Sequence, residues 1–114
     1  MPYLKIQTNT PLTAEATQAL LAKASRTVAS QLGKPENYVM VALEPPTPML
    51  FAGSDAPLAY LELKSIGLPE GKTAALSKAL CELMAQETGV KQDRVYIEFA
   101  NAKGALWGWD GGTV

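Results

Sequence analysis

Histidine is absent from this 114-residue chain, and cysteine occurs once, as Cys81. No disulfide within the chain, no Cys-x-x-Cys redox pair and no cysteine-rich metal site can therefore form. The ligand types that hold transition metals are nearly missing, so neither a metal nor a cofactor is expected. Charge of one sign is not in excess either. Ten Lys and Arg face eleven Asp and Glu, for a net −1, and the basic residues are scattered. That pattern leaves no electrostatic footprint for nucleic acid. No apolar run approaches the ~20 residues of a membrane helix. The N-terminus also lacks the basic stretch and apolar block of a signal peptide. A cytoplasmic location with no membrane partner is the expectation. One domain spanning residues 1–114 accounts for the length.

With no histidine, few groups titrate near neutrality. A free N-terminal amine is one of them, and here the second residue is Pro2, directly behind Met1. If Met1 is removed, the Pro2 nitrogen becomes a secondary amine that takes up and releases a proton. Every other proline nitrogen is a non-basic amide. If Met1 is retained, so is that of Pro2.

The chain reads as one unit written twice. An alternating segment near 2–7 is followed by a helical segment near 13–32 and a short strand near 38–44. A strand near 58–64, a helix near 69–88 and a strand near 95–100 repeat the order. Gly33 and Gly89 each close a helix, 56 residues apart, and Val39 and Val95 open the next strands at the same offset. Two β-α-β units, about 2–44 and 58–100, pair into an α/β (α+β) fold with a four-stranded sheet and two helices on one face.

In the first helix Leu21, Ala24, Val28 and Leu32 share a face, and Thr13 suits the N-cap. In the second, Leu76, Leu80, Leu83 and Met84 form the stripe, with Pro69 and Glu70 in the first turn. Along the strands, Leu4 and Ile6 oppose Tyr3, Lys5 and Gln7. Leu61 and Leu63 oppose Tyr60, Glu62 and Lys64, and Val95, Ile97 and Phe99 oppose Tyr96 and Glu98. One sheet face thus packs under the helices, while the other is mixed and suits either solvent or association through its back or edges. The prolines of Glu44-Pro45-Pro46-Thr47-Pro48 stiffen the link between copies. Trp107 and Trp109 lie in a tail beyond the last strand.

Several short pieces, in order and at matching spacing over the doubled pattern, carry a resemblance. They are Met1-Pro2, Thr8-Asn9, Gly33-Lys34-Pro35 with Tyr38, and Gly53-Ser54. Ser65-Ile66-Gly67, Leu80-Cys81, Asp93-Arg94-Val95-Tyr96-Ile97 and Gly108-Trp109 complete the set. The chain resembles the tautomerase superfamily, most closely its macrophage migration inhibitory factor branch. The resemblance implies a barrel-like homotrimer with three active sites at subunit interfaces. It also implies keto–enol tautomerisation of phenylpyruvate-like α-keto acids without a cofactor.

On the same ground Pro2 is the general base. Lys34 anchors the substrate carboxylate, and the Ile66 backbone amide donates to the substrate, with Ser65 beside it. Tyr96 lines the pocket from the neighbouring subunit. Trp109 belongs to the apolar wall around the substrate's aromatic ring, and Cys81 is a small core residue. The base must be neutral yet basic near pH 7, and burial with nearby positive charge from Lys34 or Lys64 lowers an amine's pKa towards that range.

The sequence also departs from the pattern of that branch. Glu98 replaces an asparagine beside the pocket, Lys64 a histidine, and Trp107 a small aliphatic residue, and the tail ends at Val114 instead of an aromatic residue. Pro57-Leu58-Ala59-Tyr60 stands in place of Cys-x-x-Cys, so thiol-oxidoreductase activity does not carry over. Dehalogenase or hydratase chemistry calls for more arginines than Arg26 and Arg94. The alternative is a cytokine-like trimer that binds a protein receptor and keeps the pocket as a relic.

Overall fold

A computed structural model describes residues 1–114. The first copy consists of β1 (Pro2–Thr8), α1 (Ala14–Leu32) and β2 (Met40–Leu43). The second consists of β3 (Ala59–Ile66), α2 (Thr73–Thr88) and β4 (Val95–Ala102). The sheet order is β2-β1-β3-β4. β2 runs parallel to β1, β4 runs parallel to β3, and the two copies join through the antiparallel β1–β3 pair. The doubled pattern in the sequence is therefore a doubled β-α-β arrangement in space, with two helices on one face of a four-stranded sheet.

Thr13 caps α1 as its side chain predicts, its Oγ1 accepting from the Ala16 amide at 3.0 Å. This bond satisfies one of the amides that a helix start leaves unpaired. Gly33 closes α1 at φ +63° and Gly89 closes α2 at φ +75°, a backbone region glycine enters without steric cost. The start of α2 differs from expectation. Glu70–Lys72 forms a separate 3₁₀ turn after Pro69, and the α-helix begins at Thr73. Gly71 lies in that turn, where its poor helix propensity costs nothing to the longer ladder.

The core gathers Leu4, Ile6, Leu61 and Leu63 from the sheet and Leu20, Ala24, Val28 and Leu32 from α1. Leu76, Leu80, Leu83 and Met84 come from α2, with Cys81 among them as a small buried thiol. Each buried leucine contributes roughly 1.5–3 kcal/mol relative to exposure. Leu20, not Leu21, supplies the first rung of the α1 stripe. Leu20 is fully buried while Leu21 is only partly covered, because the positions i, i+4, i+8 and i+12 align down one side. On β4, Ile97 and Phe99 are half-buried and only flank the core, as suits an edge strand with one neighbour.

The opposite sheet face carries a charged row. Lys5 Nζ lies 3.1 Å from Glu44 and 3.9 Å from Glu62, and Lys64 Nζ lies 4.0 Å from Glu62. The hydrogen bond to Glu44 raises the Lys5 pKa. Tyr60 donates its phenolic hydrogen to Glu98 at 3.2 Å. The tail, read from sequence as lying outside any element, folds into a small ribbon. Its strands are β5 (Gly108–Trp109) and β6 (Gly112–Thr113), and Asp110 and Gly111 at its tip take φ +50° and +77°. Two positive-φ residues are what a type I′ two-residue hairpin requires, and an Asp-Gly pair supplies them.

Candidate active site

The two ends of the sheet hold different halves of the residues singled out above. At one end β1 begins, and Pro2 pairs with Ser65 near the end of β3. The chain leaves α1 through Gly33, so Lys34 follows directly and reaches across to this end. Its Nζ donates to the Ile66 carbonyl at 2.9 Å. Pro2, Lys34, Ser65 and Ile66, far apart in sequence, thus converge on one spot.

Burial first, and then the Lys34 ammonium beside it, hold the N-terminal amine below its ordinary pKa. Both causes act against the cation. The amine is that of Met1, and the Pro2 side chain beneath it is almost completely covered. A cleft of about 250 Å³ opens there, lined by Met1, Pro2, Tyr38, Met40, Trp107 and Trp109 among others. Tyr38 and Trp109 meet edge to face with ring centroids 5.9 Å apart, a favoured aromatic geometry. The β5–β6 ribbon is what brings both tryptophans to the mouth of this cleft.

The sequence assigns Tyr38 to a motif but not to the site. Its place follows from the 3₁₀ turn Glu36–Tyr38, which swings the chain from the end of α1 back to the start of β2 beside Pro2. Ser65 is positioned differently from a group that touches substrate. It is fully buried on the helix side of the sheet, and its hydroxyl donates to the Ile66 carbonyl at 3.2 Å. It braces the same oxygen that Lys34 holds. Lys64 is exposed and lies 4.0 Å from Glu62.

Tyr96 and Glu98 are not brought to Pro2 within the chain. Tyr96 pairs with Tyr60, which pairs with Gln7. Five residues of strand then separate it from Pro2, about 16 Å at the usual rise. Tyr96 instead borders a second, apolar cavity of about 290 Å³ with Met49, Leu50, Phe51, Leu58 and Tyr60. The residue is 65% exposed, and Phe51 packs on its ring at 4.6 Å between centroids. Phe51 carries no signal in the sequence beyond its apolar character. No group of three or more potential His, Cys, Asp or Glu ligands gathers anywhere in the fold, and no helix is long and apolar enough to cross a membrane.

A doubled β-α-β unit with its N-terminus beside a lysine and next to an aromatic cleft agrees with the resemblance to the tautomerase superfamily. Comparison with known proteins narrows the class. The family described as macrophage migration inhibitory factor (MIF) matches residues 1–114. A macrophage migration inhibitory factor homolog of Brugia malayi is 39% identical over 114 residues, covering 99% of this chain and 98% of its own. The crystal structure of a homologue from Prochlorococcus marinus superposes with a TM-score of 0.91 at 41% identity, over 97% of each chain. Macrophage migration inhibitory factor of Toxoplasma gondii gives a TM-score of 0.93 at 31% identity, over 98% of this chain and 99% of its own. The chain belongs to the macrophage migration inhibitory factor family.

Proposed function

We propose that this protein is a cofactor-independent keto–enol tautomerase for phenylpyruvate-like α-keto acids, acting in the cytoplasm as a homotrimer of single-domain subunits. The observation that carries the reading is the N-terminal amine, set beside Lys34 over the covered Pro2 ring at an aromatic cleft, with its pKa held below the ordinary value. Removal of Met1 makes Pro2 the amine at that place, and its neutral nitrogen is then the general base.

The substrate carboxylate is held by Lys34. An ammonium has three donors, so Lys34 keeps its bond to Ile66 and still meets the carboxylate. Tyr38, Trp107 and Trp109 supply a wall for an aryl group. The Pro2 lone pair takes a proton from the carbon next to the carbonyl. The C–H electrons become the C=C bond, and the carbonyl π electrons move to oxygen. The oxygen receives a proton, and the amine returns to its neutral form, so the reaction consumes nothing. The Ile66 backbone amide orients the substrate in this reading, while Ser65 acts behind it.

The distance between Pro2 and Tyr96 along the sheet supports sites shared between subunits. A neighbouring copy supplies Tyr96 and Glu98 to the Pro2 cleft, which also gives the mixed sheet face and the exposed Tyr96 ring a purpose. Phenylpyruvate tautomerisation, followed by ultraviolet absorbance on protein shown by intact mass to lack Met1, tests the reading. Activity well above buffer that is lost in Pro2→Ala, with assembly unchanged, is the expected result. Full activity in Pro2→Ala overturns the role of the base. No activity with a free Pro2 overturns the enzymatic reading and leaves a trimeric binding protein.

A further inference from the structure

Arg94 ends the 3₁₀ turn Gln92–Arg94 immediately before β4, two residues before Tyr96, and four of its five guanidinium donors go to the segment opposite. It donates to the carbonyls of Phe51 (3.2 Å), Ser54 (3.0 Å), Ala56 (3.0 Å) and Pro57 (3.1 Å). It also lies over the Phe51 ring, 5.2 Å from its centroid. The segment is one that would not hold this shape unaided. Phe51 and Ser54 pair across a two-residue turn, exchanging both backbone hydrogen bonds at 3.0 Å. The turn's central residues, Ala52 and Gly53, take φ +53° and +72°. Glycine tolerates that conformation, but alanine there is strained. Four carbonyls aimed at one point also repel one another unless a cation sits among them. From the other side Asn9 closes the same loop, its Nδ2 donating to the Asp55 carbonyl at 2.8 Å and its Oδ1 accepting from the Leu58 amide at 3.0 Å.

What the clamp fixes is Phe51, whose ring lies on Tyr96. Tyr96 is otherwise an exposed side chain on an edge strand. The geometry points to Arg94 as a positioning residue: by locking the strained 51–54 turn it makes Phe51 a fixed platform that sets the Tyr96 ring in the orientation the pocket needs. This rests on the reading of Tyr96 as pocket wall for a neighbouring subunit. Arg94 touches no substrate. Its role depends on the planar fork, because donors spread over three nitrogens reach four carbonyls, whereas a lysine offers its donors from a single point.

The test measures KM and kcat for phenylpyruvate, together with the NMR signals of the Tyr96 ring, in Arg94→Lys, Phe51→Leu and Tyr96→Ala. Arg94→Lys and Phe51→Leu are each expected to raise KM about fivefold with kcat within about twofold, the signature of lost binding and not of lost chemistry. In a Tyr96→Ala background neither should raise KM further, since residues in one chain of contacts are not additive. The Tyr96 ring signals, displaced by the Phe51 ring in the parent, should move toward free-tyrosine values in Arg94→Lys, with core methyl signals unmoved. A merely structural arginine would lower the active fraction and leave KM and the Tyr96 signals alone, and that result overturns the proposal. If Arg94→Lys does not fold, Phe51→Leu decides by the same criteria. If Tyr96→Ala leaves KM unchanged, the pocket-wall reading fails, and the Tyr96 ring signals alone still decide whether the arginine orients the ring.

Discussion

Lys34 has two tasks that a substitution can separate. Its charge disfavours the protonated N-terminal amine, and its donors offer a seat for a carboxylate. Lys34→Gln removes the charge and keeps a hydrogen-bond donor. The sign follows directly: without the neighbouring cation, protonation of the amine becomes easier, its pKa rises, and activity is lost at a higher pH on the acid side. A roughly tenfold fall in kcat/KM from the lost charge-assisted contact is also expected. A pH–rate profile of kcat/KM checks both, and an acid limb that stays put removes Lys34 as a cause of the lowered pKa. Glu98, by contrast, already has a partner in the Tyr60 hydroxyl. Burial first, and then that hydrogen bond, raise the Tyr60 pKa, so the phenol stays a donor and restrains the carboxylate. At this scale the sequence showed which residue types were present, and the resemblance implied which of them meet at the site. It left Tyr38 and Phe51 without roles, because each acts through a ring contact between segments distant in sequence.

The elements stand on ordinary local rules. The Thr13 cap and the Leu20–Leu32 stripe both lie away from the cleft, so they test stability apart from chemistry. Thr13→Ala should cost about 1 kcal/mol. Leu80→Ala, which empties a fully buried site on the core face of α2, should cost about 2–5 kcal/mol. Urea unfolding measures each. Thr13→Ala should leave kcat and KM of the folded enzyme unchanged, and a changed KM would mean that α1 and Lys34 are less rigidly joined than the Gly33 corner suggests. Helices and strands were legible because a period of 3.6 or 2 survives in the residue pattern. Their edges were less so. The 3₁₀ turn before α2 and the β5–β6 ribbon depend on a few backbone angles, and the ribbon's two-residue strands are too short to show any alternation.

For the whole molecule, the question is where the second half of the site comes from. In one chain the Pro2 cleft and the Tyr96 cavity lie at different ends of the sheet. If sites form between copies, a Pro2→Gly variant and a Tyr96→Ala variant, each weak alone, should recover activity when unfolded and refolded together. Random closed assembly leaves about a quarter of the sites with neither defect. Activity that never exceeds the sum of the two variants would place the complete site within one subunit.

The amino-acid sequence by itself determined the doubled β-α-β pattern, the Thr13 cap and the glycine ends of both helices, and the apolar faces. It also determined the exclusion of cysteine-based and histidine-based chemistry and the family. All of these follow from composition, from periodicities of two to four residues, or from short motifs in order. Tertiary structure alone decided that Lys34 holds the Ile66 carbonyl beside the N-terminus. It alone set Tyr38 against Trp109 and clamped the 51–57 loop through Arg94. Each of these contacts joins residues about 30 to 70 positions apart, and that closeness is set by how the sheet register and the helix corners bring chain ends together, which no local pattern encodes.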